Sequence, residues 1–86
     1  MIRVGYAPGF LRSFNKLSGA LQQEVEERVA LFEKNPQNPS LRVHKLKGRL
    51  HGRWSFSVNY QYRIVFMYEK KHTAILLEVG DHFIYE

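Results

Sequence analysis

The chain has 86 residues, thirteen Lys and Arg against eight Asp and Glu, a formal charge of +5 and no cysteine. Disulfides and thiolate metal sites are thereby excluded, and four scattered histidines among few carboxylates make a poor zinc constellation, so neither metal nor cofactor is expected. No run approaches the roughly 20 apolar residues of a membrane span and "MIRVGYAPGF" lacks an apolar signal core, which points to a single cytoplasmic domain, residues 1–86.

At 44% hydrophobic with twelve aromatic residues, the chain can bury one core of a few strands and two helices. Its acids stand at positions 24, 26, 27, 33, 69, 78, 81 and 86, so Lys34 to Tyr68 contains none while holding seven Lys and Arg. Such a distribution makes part of the surface strongly electropositive and favours a phosphate-bearing partner; the alternative is a basic face that only confers solubility.

In chain order, "IRVGY" alternates Ile2, Val4 and Tyr6 with Arg3 and Gly5, the period of a half-buried strand. Pro8 suits a first helical turn, and Phe10, Phe14 and Leu17 mark one face of a short helix ending near Ser18-Gly19. A second, amphipathic helix follows, with Leu21, Val25, Val29 and Phe32 at helical spacing and Asn35-Pro36 as its stop. "NPQNPS" reads as a loop, and "HKLKGRLHGRW", residues 44–54, as a basic loop leading into the sheet. "RWSFSVNY" predicts a strand with Trp54, Phe56, Val58 and Tyr60 toward the helices and Arg53, Ser55, Ser57 and Asn59 on the other, exposed face. A short "NYQ" connection leads to "YRIVFMY", and after "EKKH" the strand "TAILLEVG" is apolar enough on both sides to have neighbours on each. The expected order is β-α-α-β-β-β: an α+β domain with two helices on one face of a mostly antiparallel sheet.

The other face then collects Ser55, Ser57, Asn59 and Arg63, with the basic loop at its rim and His82 and Tyr85 in the closing "DHFIYE". RNA could use each part: Lys and Arg neutralise phosphates, an aromatic ring stacks on a base, and histidine moves protons near neutral pH. Metal-free cleavage requires a group to take the proton of the ribose 2′-hydroxyl, a cation beside the phosphorane-like transition state and a donor for the 5′-oxygen. Each residue also has a plainer role open to it. Arg63 could pair with Glu78, His82 could cap the last strand, Tyr85 could pack against the sheet, and His44 and His51 could be loop residues.

Together the element order, "HKLKG", "YRIVF" and the ending "VGDHFIY" resemble the RelE/ParE superfamily of type II toxin–antitoxin toxins over essentially the whole chain, and most closely its RelE/StbE and YafQ-like branch. The resemblance implies a ribosome-dependent endoribonuclease that cuts mRNA in the ribosomal A site, is neutralised by a cognate antitoxin and meets operator DNA only through the antitoxin complex. It implies that Arg63 stabilises the transition state, His82 acts as general acid or base, Tyr85 stacks on a base or assists, and His44 is a second candidate for proton transfer. Lys45, Lys47, Arg49 and Arg53 would position phosphates, with Ser55 and Ser57 lining the RNA surface. Two departures stand out: the serines replace basic residues or a histidine common in the family's nucleases, and Gln61 stands where YafQ-like members have an acid. The superfamily leaves two other functions open, a ParE-like gyrase inhibitor without catalysis and an inactive module acting with its antitoxin on DNA.

Overall fold

The computed structural model describes residues 1–81, apart from the side chain of Arg49. The elements are β1 (Arg3–Tyr6), α1 (Pro8–Asn15), α2 (Gly19–Lys34), β2 (His44–Lys45), β3 (Trp54–Ser57), β4 (Tyr62–Lys70) and β5 (Thr73–Asp81), with short 3-10 helices at Pro39–Leu41 and Gly48–Leu50. His82 and Tyr85 lie outside the described residues.

Each helix begins where its sequence allows it. Pro8 occupies the first turn of α1, and Ser18, rather than ending α1, caps α2 by accepting the Leu21 N–H at 3.2 Å. Gln22 Nε2 donates to the Phe14 carbonyl at 3.0 Å and ties the two helices together.

The five-stranded sheet runs β1-β5-β4-β3-β2. β1 is parallel to β5 and the other pairs are antiparallel, so the mostly antiparallel α+β architecture expected from the periodicity is what forms. β5 has a neighbour on each side, the non-edge position expected for it. β1 stops opposite Leu76, and beyond that point α1 takes over the free edge of β5: the Ala7 N–H donates to the Leu76 carbonyl and the Val79 N–H to Ser13 Oγ, at 2.9 and 3.0 Å.

The core lies between the helices and one face of the sheet. Phe32 of α2 stacks on Phe56 with ring centres 4.4 Å apart and meets Phe66 edge-on at 4.9 Å, and none of the three rings is exposed. Val25, Val29, Ile64, Leu76 and Val79 belong to the same cluster.

Four expectations are corrected. The basic stretch is not wholly loop, because His44 and Lys45 pair with Ser55 and Trp54 as an edge strand and the Leu46 N–H extends that ladder to the Arg53 carbonyl. Tyr60 does not face the helices but is 99% exposed. Its strand ends at Ser57 because Asn59 Oδ1 accepts the N–H groups of both Gln61 and Tyr62, at 2.8 Å each, and turns the chain. Asn59 leaves the outer face, since its Nδ2 donates to Glu24 Oε1 on α2 at 2.7 Å. Ser55 and Ser57 keep the outer side of the alternation but are buried, 0% and 7% exposed. Ser55 is flanked by His44 and Val65 on the neighbouring strands and Ser57 by Arg63 on β4, so these short, buried side chains do not form an open RNA-binding surface.

Candidate functional site

Cross-strand pairing decides which side chains share a face. His44 pairs with Ser55, Ser55 with Val65 and Val65 with Glu78, one row across the side of the sheet away from the helices. The next row on that face joins Ser57, Arg63 and Gly80. His44 and Arg63 are therefore two strands and one pleat repeat apart, roughly 12 Å between Cα atoms from strand spacing and rise. Side chains of their lengths can converge on one phosphodiester across that gap.

His44 is exposed, and its Nδ1 lies 2.9 Å from the Arg42 carbonyl oxygen. A carbonyl can only accept, so Nδ1 carries the hydrogen, and in the neutral ring the lone pair belongs to Nε2. The tether thus orients the ring and leaves the proton-accepting nitrogen outside it. It depends on Arg42, whose backbone is left-handed at φ 51°, ψ 46°, the one described residue other than glycine with positive φ.

Arg63 does not bond to Glu78. Its Nη1 donates to the carbonyls of Asn59, Tyr62 and Tyr60 at 2.7, 3.0 and 3.3 Å, all in the turn it adjoins. The Nε–Nη2 edge takes no part in these bonds. Among the described residues that edge makes no hydrogen bond, and a guanidinium braced on one side suits an anionic transition state, because its donors are oriented before charge develops.

The basic stretch divides between the faces. Lys45 points to the helix side of the edge strand, its Nζ 5.8 Å from the centre of the Trp54 ring, and so turns away from His44. Arg53 is half-buried with Nη1 3.8 Å from Met67 Sδ, while Lys47 and His51 are exposed. Gly48 and Gly52, at φ 70° and 88°, shape the connection that carries them. Among the described residues no three of His, Asp and Glu converge as metal ligands would, and no helix is long and apolar enough to cross a membrane.

The Arg42–His44 tether had no sequence signal, since nothing in "SLRVH" announces a left-handed arginine. The turn that braces Arg63 was legible in the Asn of "NYQ", though its contact to Arg63 was not.

Solved structures share this architecture. The chain superposes on a toxin from Helicobacter pylori with a TM-score of 0.70 at 21% identity, covering 98% of each chain. It superposes on YafQ from E. coli with a TM-score of 0.78 at 11% identity, covering 98% of this chain and 97% of that one. The toxin–antitoxin complex RelBE2 from Mycobacterium tuberculosis gives a TM-score of 0.65 at 21% identity, over 94% of this chain and 98% of the other. Two helices on this five-stranded sheet are accordingly the fold of RelE-like toxins. No curated protein matches the sequence. Residues 14–82 match the family described as the RelE-like toxin of type II toxin–antitoxin system HigB, and the chain belongs to that family. The superfamily expected from "HKLKG", "YRIVF" and "VGDHFIY" is thus borne out.

Proposed function

We propose that this toxin is a ribosome-dependent endoribonuclease that cleaves mRNA without a metal. The carrying observation is the pair set on one face of the sheet: exposed His44, tethered through Nδ1 so that Nε2 is left out of the tether, and Arg63, braced through Nη1 by turn carbonyls. In the reaction, His44 Nε2 takes the proton of the 2′-hydroxyl, the 2′-oxygen attacks the adjacent phosphorus, and the bond to the 5′-oxygen breaks. Arg63 stabilises the doubly charged phosphorane-like state. With His44 taking the proton, His82, which the resemblance gives as general acid or base, is left to protonate the leaving 5′-oxygen, and Tyr85 stacks on a base or assists, as the resemblance implies. Arg53, Lys47 and Arg49 attract the RNA backbone.

Its partners are translating ribosomes and a cognate antitoxin. The latter is supported by family membership and by neighbours such as the heterotetrameric YoeB–YefM toxin–antitoxin complex from Staphylococcus aureus.

The test is a reconstituted translation reaction in which mRNA cuts are mapped. Cuts are expected only when ribosomes translate. Arg63→Ala should lower their rate about 10²–10³-fold, as loss of a transition-state donor does, and His44→Ala about 10²–10⁴-fold, as loss of a proton acceptor does. Intact mRNA together with inhibited gyrase supercoiling would replace this reading by that of a gyrase-directed toxin.

A further inference from the structure

A cleft of about 740 Å³ opens where the end of α2, the loop through Pro39 and the β4–β5 turn meet. Three elements bring cations to it: Lys34 from α2, Arg42 from the loop, and Lys71 and His72 from the turn, all exposed. Among the described residues lining it there is no carboxylate; two acids adjoin lining residues in the sequence, Glu33, which lines the adjoining cleft with Arg3 and Lys70, and the exposed Glu69 beside Tyr68.

The neutral lining has the same polarity. Asn35 Oδ1 accepts the Gln37 N–H, and Asn38 Oδ1 accepts the Ser40 N–H and hydroxyl. The acceptor ends of both amides are thereby engaged within the loop, leaving their N–H₂ ends as donors. Tyr68 forms an aromatic wall, its ring edge-on to Trp54 at 5.2 Å and to Phe66 at 5.3 Å. Cations, amide donors and a fixed ring lining one concave surface are the ingredients of single-strand recognition, where phosphates are neutralised and bases meet π-faces.

The cleft is not the site described above. Tyr68 pairs with Ala74 of the core and so points to the helix side, whereas His44 and Arg63 stand on the opposite face. Arg42 touches both: it lines the cleft and its carbonyl holds His44 Nδ1.

We infer that this cleft is a second RNA-contacting site, which takes phosphodiester groups of a strand through Lys34, Arg42, Lys71 and His72 on the side of the sheet away from Arg63. The inference rests on RNA as the substrate class proposed above and adds a place where the toxin grips it.

The experiment uses the full chain and a fluorescein-labelled 2′-O-methyl oligoribonucleotide, which cannot be cleaved by 2′-hydroxyl attack, so binding is read apart from chemistry. Anisotropy titrations over a range of salt compare the natural protein with the Lys34→Gln/Lys71→Gln double variant. Both sites are exposed, and circular dichroism checks the fold. Losing two phosphate contacts should weaken binding about tenfold or more and reduce the slope of log K against log salt by about 1.4, at about 0.7 per single-strand phosphate. Unchanged affinity and slope overturn the inference.

NMR then locates the contact. The oligonucleotide should shift the amides of Lys71, His72 and Arg42 at micromolar concentration. Equal shifts from inorganic phosphate at that concentration would assign the cleft to free anions, and shifts from a glutamate-rich peptide but not from RNA would assign it to a protein partner; either result overturns the inference. If these amides respond to RNA while the toxin leaves mRNA whole on ribosomes, only the nuclease reading fails. If mRNA is cut and the cleft stays silent, only the second site fails.

Discussion

At the scale of single residues, burial and hydrogen bonding set what each side chain can do. Tyr68 is half-buried, and desolvation raises its hydroxyl above the ordinary value of about 10. Tyr6 is raised first by desolvation and then by the carboxylates of Glu33 and Glu26. For both, the folded state favours the neutral phenol, so the unfolded chain loses its proton first as pH rises. The stability each contributes is complete below about pH 10 and is lost as pH climbs through the higher folded value. Urea midpoints measured from pH 9 to 11.5 should fall for the natural protein and fall less steeply for Tyr6→Phe and Tyr68→Phe; parallel curves would contradict the assignment. Ser13 has a different task. Its hydroxyl lies 3.0 Å from the Gly9 and Phe10 carbonyls and accepts the Val79 N–H where β1 no longer covers β5. Ser13→Ala leaves that N–H without its partner and should cost about 1–3 kcal/mol in denaturation, whereas Ser13→Thr, which keeps a hydroxyl, should cost less.

Elements became legible in the sequence to the extent that they repeat a pattern. Alternation marked the cross-strand faces of β3 and β4, and the helical spacing of Val25, Val29 and Phe32 marked the buried side of α2. The β3 pattern failed at Tyr60, where the Asn59 side chain turns the chain before the apolar alternation ends. Two residues are too few to show any period, which is why β2 read as loop. That strand nevertheless fixes the candidate site, because its register puts His44 on the face of Arg63 and Lys45 on the other. The connection from β2 to β3 turns on Gly48 and Gly52, where an added Cβ would meet nothing within 4 Å, so the cost of a side chain there is conformational alone. Gly48→Ala and Gly52→Ala should each destabilise by about 1–2 kcal/mol. Gly19 opens α2 with ordinary helical backbone and equally open space, and Gly19→Ala should stabilise by about 0.4–1 kcal/mol. Three denaturation curves check this reversal of sign for one chemical change.

Over the whole molecule, one aromatic cluster joins every layer. Phe32 is the contribution of α2 to it, stacked on Phe56 of β3 and edge-on to Phe66 of β4, with no exposure of its own. β4, which carries Arg63, and β3, on which the His44 strand pairs, are thus seated on α2 through a ring that takes no part in either site. Truncating a buried phenylalanine costs about 3–5 kcal/mol, because the transfer term and the cavity add. At roughly 0.05–0.15 kcal/mol per residue, a domain of this length has a total stability of about 4–13 kcal/mol. Phe32→Ala should therefore remove a large share of it and lower the thermal midpoint by well over 10 °C, at about 4–8 °C per kcal/mol for a domain of this size. If the helices and sheet form one cooperative unit, far-ultraviolet dichroism and Trp54 fluorescence should lose signal at the same temperature in that variant. Phe32→Leu refills most of the volume and should recover most of the midpoint. Separate transitions for the two probes would show that the sheet bearing the candidate site can hold its shape without α2.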